Sequence, residues 1–333
     1  MATVEPGVGP SPAQSAETTR LGAVVLAYGD PNGAAAVTRS LVGTMPAQDI
    51  MVVQNPSGPS DPPLPPPAPG VRVMRMPSNG GYATAMNAGV RALMSHPYTH
   101  FLLLTQDAGL EDGTVSTLIG HLGSGRIGVI APTLASRESG QPWSYGGSTD
   151  RRGQVSHRPT PRGSGPLVEA DWVDGACIVV ARQLLEDVGL FDGRFFLYFE
   201  EADLCLRARR AGWPVLVALD ARAYQAPGAS RRQGAYEFLM TRNGIEYARR
   251  LGGWRAVLTA LNANRDKLGA LASQGLRRGA PLRTEHGRAR TYGIVLGALA
   301  FFLRRWGPPP AWLPGLGDIK FTKPPAGSDR NAA

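Results

Sequence analysis

Six strand-like stretches, the first a continuous apolar run, set the strongest limit on what this chain can fold into. They read LGAVVLAY at 21–28, DIMVVQN at 49–55, VRVMRM at 71–76, HFLLLTQD at 100–107, IGVIAP at 127–132 and WVDGACIVVAR at 172–182. A strand with one wet face alternates apolar and polar residues. A strand that is apolar at every position has both faces covered, as in a parallel sheet layered between helices. Helix-compatible segments lie between the runs: AAAVTRSLVGTM, NGGYATAMNAGVRALM, GTVSTLIGHL and QLLEDVGL. The alternation predicts an α/β fold with a mostly parallel central sheet flanked by helices. Such sheets bind ligands at the carboxyl ends of their strands, near the point where strand order reverses. That rule singles out Tyr28, Gln54, Asn55, Gln106 and Asp107, the last a carboxylate delivered straight off a buried strand. An Asp so placed serves either as a turn former or cap or as an oxygen ligand for Mg2+ or Mn2+, hard cations that bridge phosphates.

The remaining segments narrow the function. Residues 1–19 are rich in Pro, Ser and Ala without periodicity and are predicted to form a disordered leader. PSGPSDPPLPPPAPG at 56–70 is excluded from helix and ladder by its prolines, and residues 135–166 read as a long basic loop. The formal charge of +9 suits polyanions. The basic residues gather at 151–162 and after 231 with no zinc-finger spacing or RNA-binding aromatic motif, so no nucleic-acid partner is expected. GVGPSP at 7–12 follows no strand, and no P-loop or GxSxG motif is present, which removes support for hydride transfer, P-loop hydrolysis and serine-esterase chemistry. Cys177 and Cys205 sit in apolar runs without a CxxC pair, as expected of buried free thiols in a reducing compartment. With no basic n-region and apolar h-region at the start, no secretory signal is expected. A cytoplasmic location follows, extending to the inner face of the cell membrane.

FFLYFEEADLCLR at 195–207 presses three acids against an apolar wall. Desolvation there raises carboxylate pKa, whereas the first turn of a helix stabilises the anion. The acids open a helix with Leu204, Ala208 and Ala211 on its apolar side and Gly212 at its close. The cluster is either a capping box with surface ion pairs or the seat of a catalytic carboxylate.

Taken in order, these segments resemble a family 2 glycosyltransferase of the GT-A fold, in its rhamnosyltransferase-like branch. VLAYGDP stands where that family has a VTYN-like strand end, VVQNPS where it has VVDNAS, NGGYATAMNAGV where it has NLGFAAANNRGI, and LLLTQDA where it has LLLNPDT. DWVDGACIVVARQLLEDVGLFDGRFFLYFEEADLCLRARRAGWPVLVALDARAY matches almost continuously, and TRNGIEYAR resembles a closing RN helix. The resemblance spans roughly residues 21–250. It implies that Glu201 is the general base and that Gln54 and Asn55 grip nucleotide base and ribose. It further implies that Asn79, Gly81 and Asn87 shape the donor pocket and that Asp107 binds the metal with Gln225. Tyr28 and Gln106 complete the expected donor side. Gln54 replaces an Asp of the family, and Gln225 a His whose metal role an amide oxygen can fill. Trp172, Asp174, Glu200 and Asp203 are acceptor-site or helix-cap candidates; Glu200 and Asp203 are expected to cap the helix or pair with Arg207 or a loop arginine. Arg231 and Arg232, or the basic loop, are diphosphate-clamp candidates. The implied reaction is a metal-dependent inverting transfer from a dTDP- or UDP-linked sugar, rhamnose or a hexose, to a glycan, lipid-linked or metabolite hydroxyl.

The organisation expected is a leader (1–19), a GT-A domain (20–250) and a basic, partly helical C-terminal extension (251–333). In that extension Trp254, Val257, Leu258 and Leu261 recur at helical spacing. YGIVLGALAFFL at 292–303 has 12 residues where a spanning helix needs about 20. It either buries in a core or lies at a bilayer surface, with Arg304, Arg305 and Trp306 at the headgroups. Two non-catalytic readings stand beside the enzyme: a sugar-nucleotide-binding protein without turnover, and a peripheral membrane scaffold.

Overall fold

The computed structural model describes residues 19–58, 60–123, 125–225, 233–278 and 284–316. All but the last residue of the expected leader, and the end of the chain, fall outside these. The strands are β1 (Leu21–Ala27), β2 (Ile50–Gln54), β3 (Arg72–Arg75), β4 (His100–Thr105), β5 (Gly109–Leu110), β6 (Val129–Ala135), β7 (Pro142–Ser144), β8 (Gly147–Thr149), β9 (Val155–His157), β10 (Leu167–Glu169), β11 (Cys177–Ala181) and β12 (Val215–Tyr224). The helices are α1 (Pro31–Val42), α2 (Gly81–Met94), α3 (Thr114–Leu122), α4 (Arg182–Val188), α5 (Glu200–Arg210), α6 (Gln233–Arg278) and α7 (Glu285–Phe302).

Eight strands form one sheet in the order β10-β12-β6-β11-β4-β1-β2-β3, with β5 added on β12 and β7 on β6. The block β4-β1-β2-β3 is parallel, as is the β6–β12 pair; β11 joins the two blocks and runs antiparallel to both neighbours. The unbroken apolar runs are explained by two cores, one on each face. Val24, Leu26, Met51, Val53, Phe101 and Leu103 point to one; Ala23, Val25, Ile50, Val52, Leu102 and Leu104 point to the other. Period-two alternation makes neighbours in sequence belong to opposite cores. Tyr82 and Met86 of α2, Leu184 and Leu185 of α4 and Leu204 of α5 cover the first face. Val37 and Leu41 of α1 and Val115 and Leu118 of α3 cover the second.

The stretch 135–166 is not the featureless loop its composition suggests. It contains β7 and a small antiparallel hairpin, β8–β9. Three-residue strands carry too few positions to show a period, and the hairpin turn is built locally instead. Asp150 Oδ1 accepts from the backbone N–H of Arg152 and Gln154, in the manner of an Asx turn. The proline-crowded segment is tied down by polar contacts: Gln54 Nε2 donates to the Pro62 carbonyl and Arg75 to the Asp61 carbonyl.

Helix α6 changes direction at Gly252 and Gly253, whose backbone angles are not helical. Helix α7 packs back on α6 through Gly293 and Gly297. A Cβ there would come within 2.8 Å of Gly234 O and 2.5 Å of Phe238 O. The YGIVLGALAFFL segment is therefore neither wholly core nor wholly exposed: Ile294, Ala300 and Phe301 are buried, while Val295, Leu299, Phe302 and Leu303 face outward.

Candidate active site

Asp107 follows β4, and Gln225 follows the end of β12, far apart in sequence. They meet because β5 pairs antiparallel with the tip of β12, setting Gly109 opposite Tyr224. Gln225 Nε2 donates to Asp107 Oδ2 at 3.2 Å, and Thr105 Oγ1 donates to Oδ1 at 2.5 Å. Turning the Gln225 amide over would offer its oxygen instead of its nitrogen, leaving an all-oxygen donor pair of the kind Mg2+ and Mn2+ accept. Among the described residues no group of three or more His, Cys, Asp or Glu is placed to hold a metal ion. Two protein oxygens are nevertheless enough for a cation that takes its remaining ligands from a diphosphate and water.

The second half of the site rests on a strained turn. Phe196, Tyr198 and Phe199 have φ of 66°, 70° and 74°, left-handed values that cost bulky residues about 1–3 kcal/mol each. Such a turn persists only if its surroundings over-determine it. The Asn243 amide of α6 donates at 2.9 Å to the carbonyls of Phe195, Leu197 and Tyr198. Buried Arg242 donates to Phe195 O and Gly307 O. From the sheet side, Gly81 (φ 78°) sits where an added Cβ would lie 2.1 Å from Phe196 O, and Tyr82 N donates to that oxygen at 2.7 Å. Gly81→Ala is therefore expected to destabilise the fold by about 3 kcal/mol, from a disallowed φ plus a backbone clash. Denaturant titration checks this; a loss below about 1 kcal/mol would show that the turn yields easily.

The turn ends at Phe199, which starts α5 without any side-chain cap. Glu200 and Glu201 are thus not a capping box. Each has one buried oxygen, Oε2, that meets no hydrogen-bond partner. Burial and the nearby Asp174 carboxylate push Glu201 up to about 8, while backbone N–H groups of Glu201 and Ala202 pull the other way. Burial, and then the Glu201 charge, raise Glu200 well above the usual carboxylate range. Asp174 is itself raised, chiefly by burial, and it feels the Asp107 carboxylate. It lies within electrostatic reach of both Asp107 and Glu201. The two halves of the site therefore share one electrostatic neighbourhood, rich in carboxylates.

The other expected residues take varied places. Gln106 binds Tyr28 through both amide atoms, accepting from Tyr28 N and donating to Tyr28 O, which continues the β4–β1 pairing past the strand ends. Gln54 spends its amide on the proline segment, accepting from Leu64 N and Arg75 as well as donating to Pro62 O. Asn87 clasps the Phe191 backbone through N–H and C=O. Asn55 donates to Asn79 and accepts from Gly80 N; Asn79 also accepts from Gly81 N. These buried amides brace the loops of the site. Asp203 is fully buried between Arg207 and Arg250. Among the described residues no arginine forms an ion pair with Glu200. Trp172 is a packing residue, its indole N–H donating to Ser148 O. Arg231 and Arg232 lie outside the described residues.

Residues that sequence reasoning passed over also converge here. His157, on the hairpin, stands between Trp143 and Trp172 at centroid distances of 4.8 and 4.9 Å. Its Nε2 is 3.8 Å from Asp174 Oδ2. Burial lowers its pKa, against the pull of Asp174. Nothing in the motif pattern marked it, because the hairpin was invisible. Tyr82 donates from its hydroxyl to Gly175 O and fixes the turn that carries Asp174.

Residues 66–245 match the family model described as "Glycosyltransferase like family 2". A hexosyltransferase of low-salt glycan biosynthesis, Agl10 of Haloferax volcanii, is 26% identical over 148 residues, covering 40% of this chain and 44% of that protein. An N-acetylglucosaminyl-diphospho-decaprenol L-rhamnosyltransferase of Mycobacterium tuberculosis is 34% identical over 98 residues, 26% of this chain and 30% of that one. The chain thus matches less than half the length of either relative. Among solved structures, the mannosyltransferase PcManGT of Pyrobaculum calidifontis, in complex with GDP-Man and Mn2+, superposes with a TM-score of 0.51 at 14% identity over 90% of both chains. GalNAc-T7 with UDP, GalNAc and Mn2+ gives 0.51 at 13% identity, covering 68% of this chain and 49% of that one.

Proposed function

The chain belongs to the glycosyltransferase like family 2 and has the GT-A fold, and from that premise we propose that it is an inverting sugar transferase. It moves a rhamnosyl or hexosyl group from a nucleoside diphosphate to the hydroxyl of a glycan, lipid-linked or metabolite acceptor. The observation that carries this reading is the state of Glu201. A buried carboxylate oxygen without a protein partner, with basicity raised to about 8, is suited to receive a proton.

In a single displacement the acceptor oxygen attacks the anomeric carbon while the nucleoside diphosphate departs from the opposite face. Glu201 accepts the acceptor's hydroxyl proton as the new C–O bond forms. Glu200, held neutral by burial and by the adjacent Glu201, adds no second negative charge to that site. Asp174, with its Oδ1 fixed by Ala176 N, keeps Glu201 basic by charge repulsion. Asp107 and Gln225 are the residues that would hold Mg2+ or Mn2+, which supplies positive charge against the leaving diphosphate. The two structural neighbours, each in complex with Mn2+ and a nucleotide or nucleotide sugar, support a divalent cation here. The name of the Mycobacterium tuberculosis relative supports a rhamnosyl donor and a lipid-diphosphate acceptor; dTDP- and UDP-sugars are the donors to test first.

The test is nucleoside diphosphate release from dTDP-rhamnose and UDP-hexoses, with Mn2+ and acceptor, for the parent chain and Asp107→Ala. Turnover is expected to fall at least about 100-fold in the variant and to stop with EDTA, returning on Mn2+ addition. Tight nucleotide binding by calorimetry with no turnover under any donor would instead favour a sugar-nucleotide-binding protein.

A further inference from the structure

Among the described residues most of the exposed large apolar side chains lie along α6 and α7 and the residue after them, with Val42 and Trp312 outside that stretch. Trp254 and Leu258 on α6, after the kink, are 64% and 62% exposed, and Val295, Leu299, Phe302 and Leu303 continue the surface along α7. The α7 positions follow helical spacing and form one stripe. The Trp254 and Phe301 rings lie 6.3 Å apart, centroid to centroid, which brings the two helices' contributions together. At their junction a cavity of about 440 Å³ is walled by Trp254, Phe302 and Trp306 and lined by Arg194, Arg249 and Arg304. Glu246, which also lines it, pairs with Arg249 and Arg250, and Arg194 pairs with Asp192, so the cation without a carboxylate partner there is Arg304. Arg304 makes no ion pair among the described residues, and Arg255 and Arg305 stand exposed at the border of the apolar surface.

We infer that this α6–α7 face docks on an anionic phospholipid bilayer, with a lipid phosphate in the arginine-lined cavity and the apolar stripe in the acyl–headgroup boundary. Helices with aromatic and aliphatic residues on one side and arginines at the rim lie in the plane of such an interface. No described helix is long and apolar enough to cross a membrane, so the face rests on the leaflet. A second copy of this chain is disfavoured as the occupant. An isologous dimer through this patch would bring the arginine rims of both copies together. An anionic leaflet meets them with opposite charge, at a gain of about fivefold in binding per arginine near the surface.

The inference does not depend on catalysis, and it is tested by flotation of the full chain with lipid vesicles. The chain is expected to float with vesicles of phosphatidylcholine containing about 30% phosphatidylglycerol, to release in high salt, and to leave pure phosphatidylcholine largely unbound. Arg304→Gln with Arg305→Gln is expected to lower partitioning about 20-fold. Leu299→Ser with Phe302→Ser is expected to lower it at least about 10-fold. All four side chains are exposed, so melting curves should match the parent; if one pair fails to fold, the other decides. Millimolar inorganic phosphate should not displace the chain, because a free ion lacks the apolar half of the contact. Failure to bind the anionic vesicles, equal binding by parent and both variants, or displacement by phosphate would overturn the inference. So would a lipid-free dimer, seen by light scattering, that Leu299→Ser with Phe302→Ser turns into a monomer.

Discussion

Glu201→Gln is expected to lower turnover by about 10²–10⁴-fold while the nucleotide donor still binds, because the amide keeps the shape of the side chain but cannot take a proton. The pH dependence sharpens the test. A base raised to about 8 is mostly protonated at neutral pH, so the parent's rate should climb with pH and level off above about 8. The variant should lack that limb. Stability responds in the opposite sense. The carboxyl's ordinary value is 4.5 and its folded value is raised, so between the two the folded chain holds a proton that the unfolded chain has lost. More protons on the native state means that stability falls as pH rises through this window. Removing the charge should therefore stabilise the protein, by about 2–4 kcal/mol above pH 8 and by little near pH 5. A variant that is inactive and also more stable at alkaline pH is the signature of a catalytic base held ionised at a cost to stability. Retention of most activity by Glu201→Gln would end its assignment as base.

Arg250→Ala should be among the most destabilising single changes in the chain, at about 3–5 kcal/mol. Arg250 is shared by three carboxylates: Asp192 (its closest partner), Asp203 at 2.5 Å and Glu246 at 3.0 Å; its guanidinium also lies 5.0 Å from the Phe195 ring centroid. Burial pushes Asp192 up, yet its hydrogen bonds to Arg194 and Arg250 hold it well below the usual carboxylate range. Asp203 has no exposed surface. Without Arg250 it keeps only Arg207, and an incompletely compensated buried charge is costly. The loss should appear in urea titrations as a lower midpoint with an unchanged slope. Donor turnover should fall along with it, because Arg250 moors Asp203 of α5, the helix that carries Glu201. A loss below about 1 kcal/mol would mean that Arg207 alone suffices.

The sequence displayed the layered architecture because unbroken apolar strands admit few other arrangements, and the two opposed cores are a direct record of those runs. Asp107 was visible for the same reason, as a carboxylate at the end of such a run. The roles of the amides were not. Gln54 and Asn87 occupy the positions that the resemblance assigned to the donor, and local hydrogen bonding, which no motif displays, also ties them to Pro62 and Phe191. The hairpin carrying His157 was hidden by strands of three residues. Glu200 is not the helix cap because Phe199 holds that position, in a left-handed conformation that no propensity rule anticipates for phenylalanine. Asp203, expected at Arg207, also meets Arg250, a partner 47 residues on, beyond any local pattern.

The clasp on the strained turn has a consequence for modularity. The family match ends at residue 245, yet the turn that presents Glu201 is held by Arg242, whose guanidinium is itself anchored on Gly307, and α5 is moored by Arg250. A cut at the border of the recognisable domain removes these supports of the turn before Glu201. The final helices, whatever surface they meet, form part of the frame on which the chemistry is mounted, and lineages that alter them would have to rebuild the reaction centre as well.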